Sequence, residues 1–175
     1  VRVLAIDPGT YGFGWACGDV EDGKPPLFGT YQPVQAGLDL GLLMRDVRSF
    51  LWRWMDPVRE EPVIDFVAYE APVVVRSNNV MTLRKMFAMG ALIEMMAHDA
   101  RIEVGEIEPG PVRKHFLGKG NTPRKSPEIK QAIMRQCKVM GWKVCTDHEA
   151  DALALLTYVQ DVRGSKLRMM IRERA

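Results

Sequence analysis

The first fifteen residues constrain the fold of this chain more than any other stretch. They read Val1-Arg-Val-Leu-Ala-Ile-Asp7-Pro-Gly-Thr-Tyr-Gly-Phe-Gly-Trp15. An apolar run from Val3 to Ile6 stops at one carboxylate, Asp7. Pro8 and Gly9 turn the chain there, and Gly12 and Gly14 keep the next run free of bulk. The run from Phe13 to Val20 is therefore predicted to be the returning strand of a hairpin. A carboxylate at the end of a core strand is costly to bury without a partner. Asp7 either caps the turn, as Asp often does, or binds a cation.

At 175 residues the chain is long enough for one domain with a self-sufficient core. Its 47% hydrophobic and 26% charged residues are ordinary for a globular protein. The net charge of +2 is uninformative, but its distribution is not. Residues 1–75 carry six Lys/Arg against eleven Asp/Glu, whereas Gly110 to Cys145 carries nine against one, Glu128. Such asymmetry is expected of a basic face for a polyanion, or of a solvated surface. Cys17, Cys137 and Cys145 form neither a metal-ligand spacing nor an even disulfide framework, which points to a reducing compartment. With no signal-peptide pattern and no run long enough to span a membrane, the expected location is cytoplasmic.

Strands are predicted over Phe13–Val20 and Leu27–Val34, joined by turn chemistry at Glu21-Asp-Gly-Lys-Pro25. Leu38 to Met55 has the apolar spacing of a core-facing helix, its tryptophans included, closed by Pro57 and Pro62. Val63–Glu70 is a β-prone run that also ends in a carboxylate, with Pro72 close behind. Asn78 or Asn79 caps a long helix, Met81 to His98. That helix is apolar all round, which suits either a core helix buried on both sides or a subunit contact. A strand over Ile102–Ile107 precedes Pro109 and Pro111, and residues 117–127 form a polar loop. Glu128–Met140 is a helix, Trp142–Cys145 a short extended piece, and His148–Val162 the last helix. Residues 1–162 form the domain, and 163–175 a basic tail that frays. The fold class is α/β, a mixed sheet flanked by helices.

If the strands ending in Asp7 and Glu70 are neighbours, the two carboxylates converge at one end of the sheet. The stretch Thr146-Asp-His-Glu-Ala-Asp151 adds His148 and Asp151, three apart and so on one helix face. Asp147, four before Asp151, either competes with His148 or caps the helix. Ala150, Ala152 and Ala154 let this helix pack close to the sheet. Such a cluster of acids repels itself unless divalent cations occupy it. Oxygen ligands with one imidazole suit Mg²⁺ or Mn²⁺. The chemistry that wants them is two-metal phosphodiester hydrolysis, with a basic tract holding the substrate.

Taken together, Ile6-Asp-Pro-Gly-Thr10 with Gly12 and Gly14-Trp15, Tyr69-Glu-Ala-Pro72, and His148-Glu-Ala-Asp-Ala-Leu153 resemble the RuvC family of Holliday-junction resolvases. The three motifs stand in register from residue 1 to about 160. The resemblance implies a ribonuclease H-like fold and a homodimer that nicks two strands of a four-way DNA junction symmetrically. It implies a catalytic site of Asp7, Glu70, His148 and Asp151 holding two Mg²⁺ or Mn²⁺ ions. His148 stands where other family members carry Asp or His. Lys114, with Lys125 or Lys130, matches junction-binding or catalytic lysines. Arg76, Arg84, Lys85, Arg113, Lys119 and Arg124 complete the expected DNA contacts. One departure is that Ala71-Pro-Val-Val-Val-Arg76 carries no aromatic where the family often has one after its second carboxylate.

Three other readings compete. An actin- or Hsp70-like ATPase uses a similar Asp-x-Gly-Thr turn, but needs a second lobe for which the chain is too short. A non-catalytic junction-binding scaffold predicts a lost ligand, and all four positions are filled. A broader branched-DNA or flap nuclease of phage type, or a ribosomal-RNA-processing relative, would keep the same site.

Overall fold

A computed structural model describes residues 1–9, 11–19, 23–33, 39–58, 63–74, 79–118 and 126–164, without the side chains of Ser126 and Arg163. The apolar run after the first residues becomes β1 (Arg2–Asp7), flanked by β2 (Phe13–Asp19) and β4 (Phe66–Glu70). β3 (Leu27–Tyr31) and β5 (Glu103–Ile107) lie at the edges, giving the order β3-β2-β1-β4-β5. β1, β2 and β3 pair antiparallel, and β1, β4 and β5 pair parallel. A central strand covered on both faces must be apolar throughout. Val3, Leu4, Ala5 and Ile6 are accordingly all buried.

Alternation divides these strands between two cores. Leu4, Ile6, Phe13, Val67 and Tyr69 face α1 (Leu40–Leu51) and α2 (Val80–Asp99). Val3, Ala5, Ala16, Phe66 and Ala68 face α3 (Pro109–Leu117), α4 (Ser126–Val139) and α5 (Asp147–Tyr158). Each large side chain fully buried in these layers contributes about 1.5–3 kcal/mol. The second layer is built from small residues: Ala150, Ala152 and Ala154 of α5 are completely buried, as predicted. Gly14 shows how close the approach is. A Cβ there would fall 1.8 Å from the His148 carbonyl oxygen, so any side chain would push α5 off the sheet.

Several boundaries differ from expectation. α3 is a helix that the sequence reading does not include: Pro109 and Pro111 sit in its first turn, where a missing N–H costs nothing. Residues 142–145, expected as a short extended piece, lie outside the regular elements. β4 starts at Phe66, not Val63. Asn79 rather than Asn78 caps α2, and a five-residue π-helix (Val159–Arg163) ends the last helix. α2 is not buried on both sides: Met89, Leu92, Ile93 and Met96 enter the core, while Phe87 and Met95 are 53% and 52% exposed. Trp54 packs against the core, but Trp52 lies at the surface under the Arg48 guanidinium. All three cysteines are free. Among the described residues no helix is long and apolar enough to cross a membrane. Most of the polar loop and residues 165–175 of the basic tail lie outside the described residues.

Candidate active site

β1 and β4 are parallel neighbours whose last paired residues are Ile6 and Tyr69. Asp7 and Glu70 therefore stand side by side at the carboxyl end of the sheet. The third contribution comes from the start of α5, which is fixed by a reciprocal cap. Thr146 Oγ1 accepts from the Glu149 amide, and the Glu149 carboxylate accepts from the amides of Thr146 and Cys145. Thr30 of β3 bonds the Thr146 hydroxyl at 2.7 Å and Glu149 at 3.3 Å, tying the cap to the sheet edge. Glu149 is thus occupied structurally, while His148 and Asp151 turn to the strand ends.

Six polar residues line one cleft of about 210 Å³: Asp7, Glu70, Arg113, Lys130, His148 and Asp151. Asp7 and Asp151 are only 8% and 9% exposed. His148 Nδ1 lies 2.7 Å from Asp7 Oδ2. An ionised carboxylate only accepts, so Nδ1 is the donor, and the neutral ring keeps the Nε2 lone pair. Arg113 of α3 donates to Glu70 at 3.5 Å. Its Nε is buried without a partner among the described residues. Lys130 of α4 pairs with Asp147.

Asp147 therefore neither caps α5, which Thr146 does, nor lines the cleft.

The electrostatics follow from crowding acids in a desolvated place. Burial, then the charges of Asp7 and Asp151, push Glu70 up to about 8. Burial, then Asp7, pushes Asp151 up to about 7. Arg113 and Lys130 oppose both shifts without overcoming them. The hydrogen bond to Asp7 holds the His148 ring above its usual range, and Lys130 holds Asp147 below its own. Among the described residues, no three His, Cys, Asp or Glu side chains form a ready coordination sphere. Asp7 is turned to His148 and Glu70 to Arg113. The donor set nevertheless suits a hard divalent cation: three carboxylates and one imidazole, with excess negative charge.

Of the predicted DNA contacts, Arg84 and Lys114 are exposed on α2 and α3. Lys85 lies under the ring of Tyr11. Arg113 and Lys130 point into the cleft rather than away from it. Arg76, Lys119, Arg124 and Lys125 lie outside the described residues. Sequence reasoning missed the cap network of Thr30, Thr146 and Glu149, although Thr-x-x-Glu at 146–149 is a capping-box signature. It also missed that Arg113 bonds Glu70. Pro109 at a helix start would have placed Arg113 one turn into α3.

No protein-family model and no curated protein matches the sequence. Solved structures do. Thermus thermophilus RuvC is 20% identical with a TM-score of 0.66, over 94% of this chain and 97% of that one. T. thermophilus RuvC in complex with a Holliday junction substrate gives 18% and 0.62, over 89% and 90%. The yeast mitochondrial Holliday junction resolvase Ydc2 gives 11% and 0.58, over 90% and 77%. With its mixed five-stranded sheet and helices on both faces, this chain has the ribonuclease H-like fold of the RuvC Holliday-junction resolvases.

Proposed function

We propose that the chain is a metal-dependent, structure-selective endodeoxyribonuclease that resolves four-way DNA junctions by paired symmetric nicks. The observation that carries this is the convergence of three carboxylates from three separate elements, with Asp7 and Asp151 buried, on one cleft with His148. The start of α5 is capped by Thr146 and Glu149, not by these acids, and the clustering raises the cost of ionisation.

Asp7, Glu70, His148 and Asp151 would hold two Mg²⁺ or Mn²⁺ ions. When bound, such ions activate the attacking water and stabilise the leaving 3′ oxygen. Asp7 orients the imidazole through Nδ1, which would leave Nε2 free to ligate a metal ion. Arg113 holds the Glu70 carboxylate and offsets part of its charge. Arg84, Lys85, Lys114 and Lys130, with Arg76, Lys119, Arg124 and Lys125, would meet DNA phosphates. A homodimer would bring two such sites to opposed strands. The exposed Phe87 and Met95 of α2 support that helix as the contact. The fold supports a junction as substrate, because one of the structures it matches is a RuvC in complex with a Holliday junction substrate.

The test is cleavage of four-way junction, Y-fork, flap and linear duplex side by side with Mg²⁺ or Mn²⁺. Paired nicks on the four-way junction, and none on linear duplex, are expected. Equal cutting of fork and flap would make the chain a broader branched-DNA nuclease.

A further inference from the structure

A single row of the sheet meets the start of α5. Asp7 of β1 pairs with Gly14 of β2, and Gly14 pairs in turn with Thr30 of β3. Residues directly opposite on antiparallel strands face the same side, here the side covered by α5. Each of the three serves that helix differently. The Asp7 carboxylate accepts from His148 Nδ1 at 2.7 Å. Gly14 withholds a side chain where the His148 carbonyl arrives. The Thr30 hydroxyl reaches the two residues that cap the helix, Thr146 at 2.7 Å and Glu149 at 3.3 Å.

Chemistry assigns the donors in this network. A carboxylate only accepts, so Thr30 donates its one proton to Glu149 and accepts from Thr146. Thr146 in turn accepts from the Glu149 amide. The bonds thus close a ring: Glu149 amide to Thr146, Thr146 to Thr30, Thr30 to the Glu149 carboxylate. His148 lies between the two capped residues in sequence. Its ring has little room to follow a helix start that shifts, since a Cβ on Gly9 would fall 2.9 Å from its Cε1. Asp151, farther along, belongs to the buried Ala150–Leu156 stretch instead. We propose that Thr30 is a positioning residue for His148: through Thr146 and Glu149, its hydroxyl sets where the imidazole Nε2 stands beside the carboxylates. This deepens the metal-site reading above and rests on it.

The experiment compares wild type with three variants. Thr30→Ser keeps the hydroxyl, Thr30→Val keeps only the shape, and Thr30→Ala keeps neither. The chain has three histidines, so the His148 ring is assigned in imidazole nitrogen NMR spectra by its disappearance from His148→Ala. In chelator, wild type and Thr30→Ser should show one His148 ring protonated at Nδ1. Thr30→Val and Thr30→Ala should show a shifted or averaged signal. Titrated with Mn²⁺ alone, those two should bind about 10- to 100-fold more weakly, the usual effect of losing an outer partner of a ligand. Junction binding in chelator should be unchanged. On a His148→Ala background, Thr30→Val should weaken Mn²⁺ no further, because both act through one ring. A wild-type His148 signal and Mn²⁺ affinity in Thr30→Val and Thr30→Ala would overturn the proposal. So would losses that multiply with His148→Ala, or Thr30→Ser behaving like Thr30→Val. Failure of both Thr30→Val and Thr30→Ala to fold would also overturn it, since the hydroxyl would then hold the fold as a whole. Wild type that takes up Mn²⁺ with this dependence, yet never cuts a junction, would overturn the nuclease reading and uphold the positioning role. Wild type that takes up no Mn²⁺ would overturn both.

Discussion

At the scale of single residues, the site is a balance of like charges held by neighbours of opposite sign. In the proposed mechanism, Asp7→Asn, Glu70→Gln and Asp151→Asn each remove charge that would hold metal, with little change of shape. Each should lower junction cutting to below about a hundredth of wild type while leaving junction binding in chelator intact. His148→Ala should be comparably damaging, and Asp147→Asn far milder, because Asp147 belongs to Lys130. Single-turnover cleavage rates check all five, and normal cutting by any of the first four removes that residue from the site. The four cleft positions were legible in the sequence because they follow local periods. Strand ends mark Asp7 and Glu70, and a three-residue helical step joins His148 to Asp151. Their partners were not legible. Arg113 stands 43 residues from Glu70, and Lys130 stands 17 from Asp147, on different helices.

At the scale of elements, α2 is the helix whose two sides differ, one packed in the core and one exposed. Its inner side fills the core under β4, where Tyr69 donates to Glu94 at 2.5 Å and Gly90 leaves room for the Tyr69 ring. Phe87 and Met95 lie eight residues apart on the outer side. If that side is the two-fold contact, Phe87→Glu with Met95→Glu should convert a dimer into a monomer by light scattering at micromolar concentration. The variant should nick junctions singly rather than in pairs. A wild-type monomer, with or without junction, would defeat it. Composition foretold that α2 is apolar all round, but not which side the sheet covers. The same limit applies to Gly14: its lack of bulk was readable, whereas the carbonyl of His148 that requires it arrives from the far end of the chain.

At the scale of the whole molecule, the crowded acids link stability to pH. Glu70 and Asp151 keep their protons up to about 8 and about 7. Between roughly pH 5 and 8 the folded chain therefore binds more protons than the unfolded chain, and stability falls as pH rises. His148 acts in the same direction. Its contribution is complete below the ordinary value of 6.5 and is lost as pH climbs through its raised folded value. Asp147 acts in the opposite sense but at lower pH. Its depressed carboxyl stabilises above the ordinary 3.8, and that contribution is lost as pH falls through the folded value. In chelator, Tm should drop by several degrees from pH 5 to 8, at about 2–4 °C per kcal/mol. Saturating Mg²⁺ should offset the drop, because in the proposed site the cation would bind the deprotonated acids. A Tm in chelator that rises across this range would contradict the mutual crowding of the acids. The bond from Thr30 to the Thr146 cap carries one more consequence. Among the described residues β3 pairs only with β2 and none of its five residues is fully buried, so it belongs among the segments that open at low free energy. Each local opening of that margin removes one tie on the Thr146 cap, so the first turn of α5 is held less firmly than the Ala150–Leu156 stretch that is buried in the core.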